Sequence, residues 1–174
     1  MTDFIQPSEP LVAPEQTVRD EWTDYNGHLN MAYYHVLFDQ ALDSVLDRIG
    51  MGAERARRDG LSVFTAEAHV HYLQELNAGD RVQVSLQVLG ADAKRLHYVQ
   101  TMRRVGAGGD KAEDGFVAAI TENLILHADL STRRVAPWAP DVAQRWTDLA
   151  RAHQSMPVPP QVGRVMGLRR PAQA

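Results

Sequence analysis

The segment Asp24-Tyr25-Asn26-Gly27-His28-Leu29-Asn30 gathers two amides, a carboxylate, an imidazole and a glycine just ahead of an apolar helical repeat. Free N–H groups at a helix N-terminus converge and carry positive potential, so such a junction can hold an oxyanion. Gly27 permits close backbone approach or a dihedral closed to other residues. Asp24 could serve as a general base towards water or as a direct nucleophile. The same residues also suit a plainer role, since Asp and Asn cap helices and Asn-Gly is a common turn pair. Residue type alone leaves both readings open.

Other constellations are thinner. His69 and His71 share one face of an extended segment, with Glu67 at the same parity. Two imidazoles and one carboxylate make a sparse metal set, and a metal-free reading is preferred. Glu67 and His69 are read as polar pocket residues, against the alternative of ordinary polar side chains on a half-exposed face. The glycine cluster at 106–109 has no Walker lysine in register and precedes no helix, so it reads as a hairpin loop. No G-x-S-x-G and no helix-opening G-x-G-x-x-G occurs, which leaves serine-hydrolase and nicotinamide chemistry without support.

The elements that must position these residues follow from periodicity. Thr17–Glu21 reads as a short strand. Tyr34, Leu37, Phe38, Ala41, Val45 and Ile49 step by three and four, which predicts an amphipathic helix capped by Asn30 and stopped by Gly50. His35, Asp39, Asp43 and Asp47 lie along its polar face. Four strands are expected next, over Leu61–Leu73, Val82–Val88, Arg95–Val105 and Gly115–His127, with Thr132–Val135 as an extension. Asn77-Ala78-Gly79-Asp80 and Gly90-Ala91-Asp92 are the turns. Pro140–His153 reads as a short helix. The pattern predicts an α+β fold, with a meander of antiparallel strands wrapped round one long helix. Such a sheet leaves edges, which favours dimerisation.

Composition narrows the class. At 174 residues one domain is expected, large enough to bury roughly 70% of its unfolded surface. The absence of cysteine excludes disulfides, Cys-ligated metals and a cysteine nucleophile. A net charge of −4 argues against nucleic acid as a partner. No apolar run approaches the roughly 20 residues of a membrane span, and the polar start resembles no secretory signal. A cytoplasmic protein is expected. Residues 1–16 read as an N-terminal arm, 17–153 as the domain, and 154–174 as a Pro- and Arg-containing tail, disordered or packed on a partner.

Asp24-x-Asn-Gly-His-x-Asn-x-x-Tyr-Tyr, followed by a long helix and four strands, resembles the hotdog-fold acyl-CoA thioesterases of the 4-hydroxybenzoyl-CoA thioesterase type. The resemblance covers Thr17 to about His153. It implies that Asp24 is the catalytic carboxylate and that the thioester oxygen sits at the helix N-terminus, on the backbone around Asn30 and Met31. It further implies that His28 and Asn30 orient the site and that Tyr33 or Tyr34 lines the acyl pocket. Asp24–Tyr34, Ser62–Leu73, Ala78-Gly79-Asp80 and Asp92–His97 are similar, more narrowly, to the betainyl-CoA thioesterases of carnitine degradation. A quaternary ammonium substrate needs aromatic faces, because it cannot be hydrogen-bonded. Trp22, Tyr25, Tyr33, Tyr34, Phe64, Tyr72 and Trp138 are the aromatic candidates, as core and interface packing would also explain. Asn26, Gly27 and His69 are counted with these aromatic residues as candidates for substrate binding, and Glu67 offers a carboxylate to the cation. Lys94 and Arg95 are candidates to hold the CoA phosphates, or ordinary solvated charges. CoA enters as part of the substrate, with no cofactor or metal required. A homodimer or dimer of dimers with interfacial sites is expected. A thioesterase for another short-chain or aromatic acyl-CoA, and a non-catalytic acyl-CoA-binding protein of the same fold, are the alternatives.

Overall fold

The computed structural model describes residues 9–106 and 115–168. Helix α1 (Met31–Arg48) is the long apolar helix of the pattern. It buries Tyr34, Leu37, Phe38, Ala41, Leu42, Val45 and Leu46, one stripe at steps of three and four. Gly50 ends it in the left-handed region at φ 76°. A short helix α2 (Ala53–Asp59), which the periodicity had not marked, leads into the sheet.

The strands are β1 (Leu11–Val12), β2 (Gln16–Thr17), β3 (Leu61–Tyr72), β4 (Arg81–Ala91), β5 (Arg95–Arg104), β6 (Val117–Asp129) and β7 (Arg134–Val135). All pairings are antiparallel, in the order β1-β4-β5-β6-β3, with β2 also on β4 and β7 on β6. Register shifts at Thr65/Glu67, Val88/Gly90 and Met102/Arg103 mark bulges, which bend the strands and let the sheet curve round α1. Helix α3 (Pro140–His153) joins one half of the core through Val142, Trp146 and Leu149. The other half surrounds the start of α1, with Val18, Trp22, Leu29 and Leu76.

Three expectations need correction. The strands are not a simple meander: β3 pairs with β6, not with β4. Residues 73–80 carry the chain across the N-terminal end of α1, where Leu29 N–H donates to the Leu76 carbonyl at 2.7 Å. The expected strand at Thr17–Glu21 is instead β2 followed by a 3₁₀ turn over Asp20–Trp22. The arm is not separate either. Leu11 and Ala13 are buried, and β1 and β2 form the β4 edge. Residues 1–8 of that arm lie outside the described residues, as does most of the glycine loop after Gly106.

The tail, too, is placed on its own domain. Gly163 N–H donates to Glu122 Oε2 at 2.7 Å on the sheet face opposite α1. The last six residues, with Arg169 and Arg170, lie outside the described residues. Among the described residues no helix is long and apolar enough to cross a membrane.

Candidate active site

The loop before α1 is a compact hydrogen-bonded turn. Asp24 N–H donates to the His28 carbonyl at 2.9 Å, and Gly27 N–H to the Asp24 carbonyl at 3.0 Å. Gly27 sits at φ 82°, a conformation glycine adopts without strain. Asn26 N–H donates to Asp24 Oδ1 at 2.8 Å. That oxygen is held by the turn, while no hydrogen bond engages Oδ2 among the described residues. Asp24 thus builds the loop and still presents one oxygen.

The helix start shows which amide is open. Asn30 Oδ1 accepts Ala32 N–H at 3.0 Å, and its carbonyl accepts Tyr33 N–H at 2.9 Å. Met31 N–H has no acceptor among the described residues. It is the first-turn donor left for an oxyanion. Asn30 therefore acts as an N-cap, and its side-chain oxygen is spent there.

A cleft of about 330 Å³ brings Asp24, His28, Leu29, Met31, Tyr34 and Tyr72 together with Leu73, Gln74 and Glu75. Tyr34 and Tyr72 meet edge to face with centroids 5.1 Å apart. Burial raises the pKa of both phenols, so they stay protonated at neutral pH. The Tyr34 hydroxyl donates to the Gln74 carbonyl at 3.3 Å. His28 Nε2 lies 2.7 Å from Glu75 Oε2.

Several expected site residues do not reach this cleft. Trp22 is buried and stacks on Tyr33 at 5.4 Å, with the Arg19 guanidinium over it at 4.7 Å. Its carbonyl accepts Asn30 N–H, so it fixes the loop and does not line the pocket. Tyr25 is 98% exposed. Trp138 is buried against His127 and Trp146. Phe64, Glu67 and His69 pair with Leu126, Leu124 and Glu122 of β6 and face away from α1. Thr65 and Ala68, their neighbours in β3, face the helix instead. The bulge between Thr65 and Glu67 is what puts Phe64 and Glu67 on the same outer face. His69 and His71 do share a face, with rings 4.4 Å apart. Among the described residues no group of three or more metal-ligating side chains forms.

Lys94 and Arg95 sit in the β4–β5 turn, where both backbone N–H groups and the Arg95 guanidinium bond to Asp92. From Arg95 to Met102, which is level with Tyr72 across β6, is seven residues, about 23 Å at strand rise. They stand at the far end of the sheet from Asp24.

Sequence reasoning missed Gln74, Glu75 and Arg104. Arg104 lines a second cleft of about 520 Å³ that shares Leu73, Gln74 and Glu75 with the first. It bonds Asp80 at 2.6 Å. The detectable signal was Tyr72: a helix-facing residue at the end of β3 brings the next few residues to the helix start. The pairing of β3 with β6 was needed to see it.

The sequence profile of the thioesterase-like superfamily matches residues 18–146. A betainyl-CoA thioesterase of Pseudomonas aeruginosa is 40% identical over 92% of this chain and 97% of that protein. A fused L-carnitine dehydrogenase/betainyl-CoA thioesterase of Ruegeria pomeroyi is 32% identical over 98% of this chain, which spans 32% of that protein. A solved Pseudomonas putida chain, described as a candidate thioesterase, is 36% identical, with a TM-score of 0.74 over 92% of this chain and 98% of its own. A Staphylococcus aureus protein solved with CoA superposes at a TM-score of 0.82, over 96% of this chain and 100% of its own. At 24% identity that likeness concerns the fold. A curved antiparallel sheet round one long helix, a profile spanning most of the domain and a relative covered nearly end to end lead to one assignment: the chain belongs to the thioesterase-like superfamily and is a hotdog-fold thioester hydrolase.

Proposed function

We propose that this chain hydrolyses betainyl-CoA to betaine and CoA, with Asp24 as the catalytic carboxylate and Met31 N–H as the oxyanion donor. The observation that carries this reading is the cleft itself, which joins Asp24, the capped start of α1 and the Tyr34–Tyr72 pair. The thioester carbonyl oxygen accepts from Met31 N–H. The free Asp24 oxygen takes the proton of an attacking water, or adds to the carbonyl itself; the tetrahedral intermediate then expels CoA thiolate, which is protonated. This leaves betaine directly in the first case and a mixed anhydride on Asp24 in the second, which a water molecule hydrolyses to betaine and the free carboxylate. Removing one oxyanion donor typically costs a factor of about 10²–10³ in rate. The tyrosine faces suit a trimethylammonium group, and the 40% identical relative supports that acyl group.

The reading extends to CoA and assembly. Arg104, beside the shared Leu73–Glu75 wall, is a better-placed cation for the CoA arm than Lys94 or Arg95. Strand β3 pairs only with β6 over 12 residues, and its other edge is open among the described residues. Open edges of that length are usually covered, and we assign this one to a second copy of the chain, giving a homodimer.

The test is thiol release from betainyl-CoA, acetyl-CoA, a medium-chain acyl-CoA and 4-hydroxybenzoyl-CoA, with Asp24→Asn as control. Preference for betainyl-CoA supports the reading. Preference for another thioester keeps the chemistry and removes the acyl assignment. Turnover that does not depend on Asp24 removes the mechanism. Single turnover in H₂¹⁸O distinguishes the two roles by where the label goes: water attack assisted by Asp24 puts it only into betaine, whereas a mixed anhydride opened by water at the aspartyl carbonyl leaves it in the Asp24 side chain.

A further inference from the structure

We propose that Glu75 selects a cationic acyl group, acting with the Tyr34 and Tyr72 rings in the Asp24 cleft. The proposal rests on the betainyl-CoA reading above. In that substrate one methylene separates the quaternary nitrogen from the carbonyl carbon. Standard bond lengths and angles then put the nitrogen only about 2.5 Å from the carbon under attack. The cation must lie in the same cleft as Asp24.

That constraint eliminates most anionic and aromatic groups of the molecule. A neighbouring cavity of about 330 Å³ contains Asp39, Phe38 and Tyr98, with His35, Gln100 and Asn123. It shares no lining residue with the Asp24 cleft. A hydrogen bond of 3.4 Å between His35 Nε2 and the Tyr72 hydroxyl joins the two walls. A one-carbon spacer does not reach past that pair. Glu67 and Phe64 are on the other face of the sheet. Within the cleft two carboxylates remain, and Asp24 is committed to the carbonyl. Glu75 is the second.

Its placement is defined from both sides. Leu76 is fully buried and accepts Leu29 N–H, and His28 pairs with Asn77 through a backbone bridge. His28 Nε2 holds Glu75 Oε2 at 2.7 Å, and Oε1 has no partner among the described residues. The Glu75 side chain is 67% exposed, so this contact contributes little to stability and its removal should leave the fold intact. A second carboxylate beside two tyrosines attracts a cation and gives nothing to a neutral group of the same shape.

The experiment compares kcat/KM for betainyl-CoA and for 3,3-dimethylbutanoyl-CoA, in which a quaternary carbon replaces the nitrogen. The wild-type chain should prefer the cation. In Glu75→Gln that preference should fall about tenfold, by loss on betainyl-CoA alone, and Glu75→Asp should restore part of it. Asp39→Asn, in the neighbouring cavity, should leave the ratio unchanged. A wild-type preference that persists in Glu75→Gln overturns the assignment of Glu75 and leaves the betaine reading standing. Equal loss on both thioesters overturns it too, since Glu75 would then act only through the loop. A collapse of the ratio in Asp39→Asn moves the cation to the other cavity. A wild-type chain with no preference overturns the betaine reading itself.

Discussion

Asn30 Oδ1 accepts the Ala32 N–H at 3.0 Å, and with the Asn30 carbonyl taking Tyr33 N–H, Met31 is left as the open amide at the start of α1 among the described residues. Asn30 is thus the cap of α1. Asn30→Ser, which keeps a capping oxygen, should retain turnover within a few-fold. Asn30→Ala should lose about 1 kcal/mol of stability. Urea melts with parallel thioesterase assays check both, and a large loss of turnover in the serine variant would make Asn30 a substrate contact.

Asp24→Asn keeps an oxygen for the Asn26 N–H and so preserves the turn. The fold should change by less than about 0.5 kcal/mol. Turnover should drop by a factor of about 10² or more, the contribution of a positioned acid–base group. Circular dichroism and steady-state kinetics on one preparation separate the two effects.

Leu11 is only 3% exposed and is registered opposite Leu86. Leu11→Ala should cost about 2–5 kcal/mol, as other large-to-small core changes do. Deleting residues 1–13 should destabilise at least as much, because it also strips the β4 edge. A Tm unchanged by either would show that β1 adds nothing to the domain.

His153 gives a pH dependence. Its Nδ1 accepts Val88 N–H at 2.9 Å, and Nε2 lies 3.0 Å from the Glu9 carbonyl. Burial lowers its pKa below 6.5, and the Glu9 bond only partly opposes this. The folded chain then binds the proton more weakly than the unfolded chain. The stability His153 contributes is complete above about pH 6.5 and is lost as pH falls through the lowered value. His71 shifts the same way, through burial first and then the neighbouring His69 and Arg164. NMR titration should place the His153 midpoint below 6.5, with Tm falling over the same range. A midpoint above 6.5 would contradict the buried, neutral ring.

Local chemistry was legible in the chain itself. The spacing of Tyr34, Leu37, Phe38, Ala41 and Val45 determined α1, and Asn30 its cap, because a helix repeats every 3.6 residues and caps act over two or three. Asp24-x-Asn-Gly-His was legible as a turn before a helix start for the same reason, since the two are adjacent in sequence; the catalytic role proposed for Asp24 came from the family resemblance. Tertiary structure decided everything that depends on which strands are neighbours. The position of β3 beside β6 carries residues 73–80 over the helix start and so delivers Glu75. One bulge at Thr65/Glu67 sets the outer face for Glu67 and His69, since a strand alternates with period two and one extra residue inverts it. Pairing partners many residues apart leave no local periodic trace, so the turn and capped helix start could be read from the chain, while the wall that residues 72–75 add to the cleft required the fold.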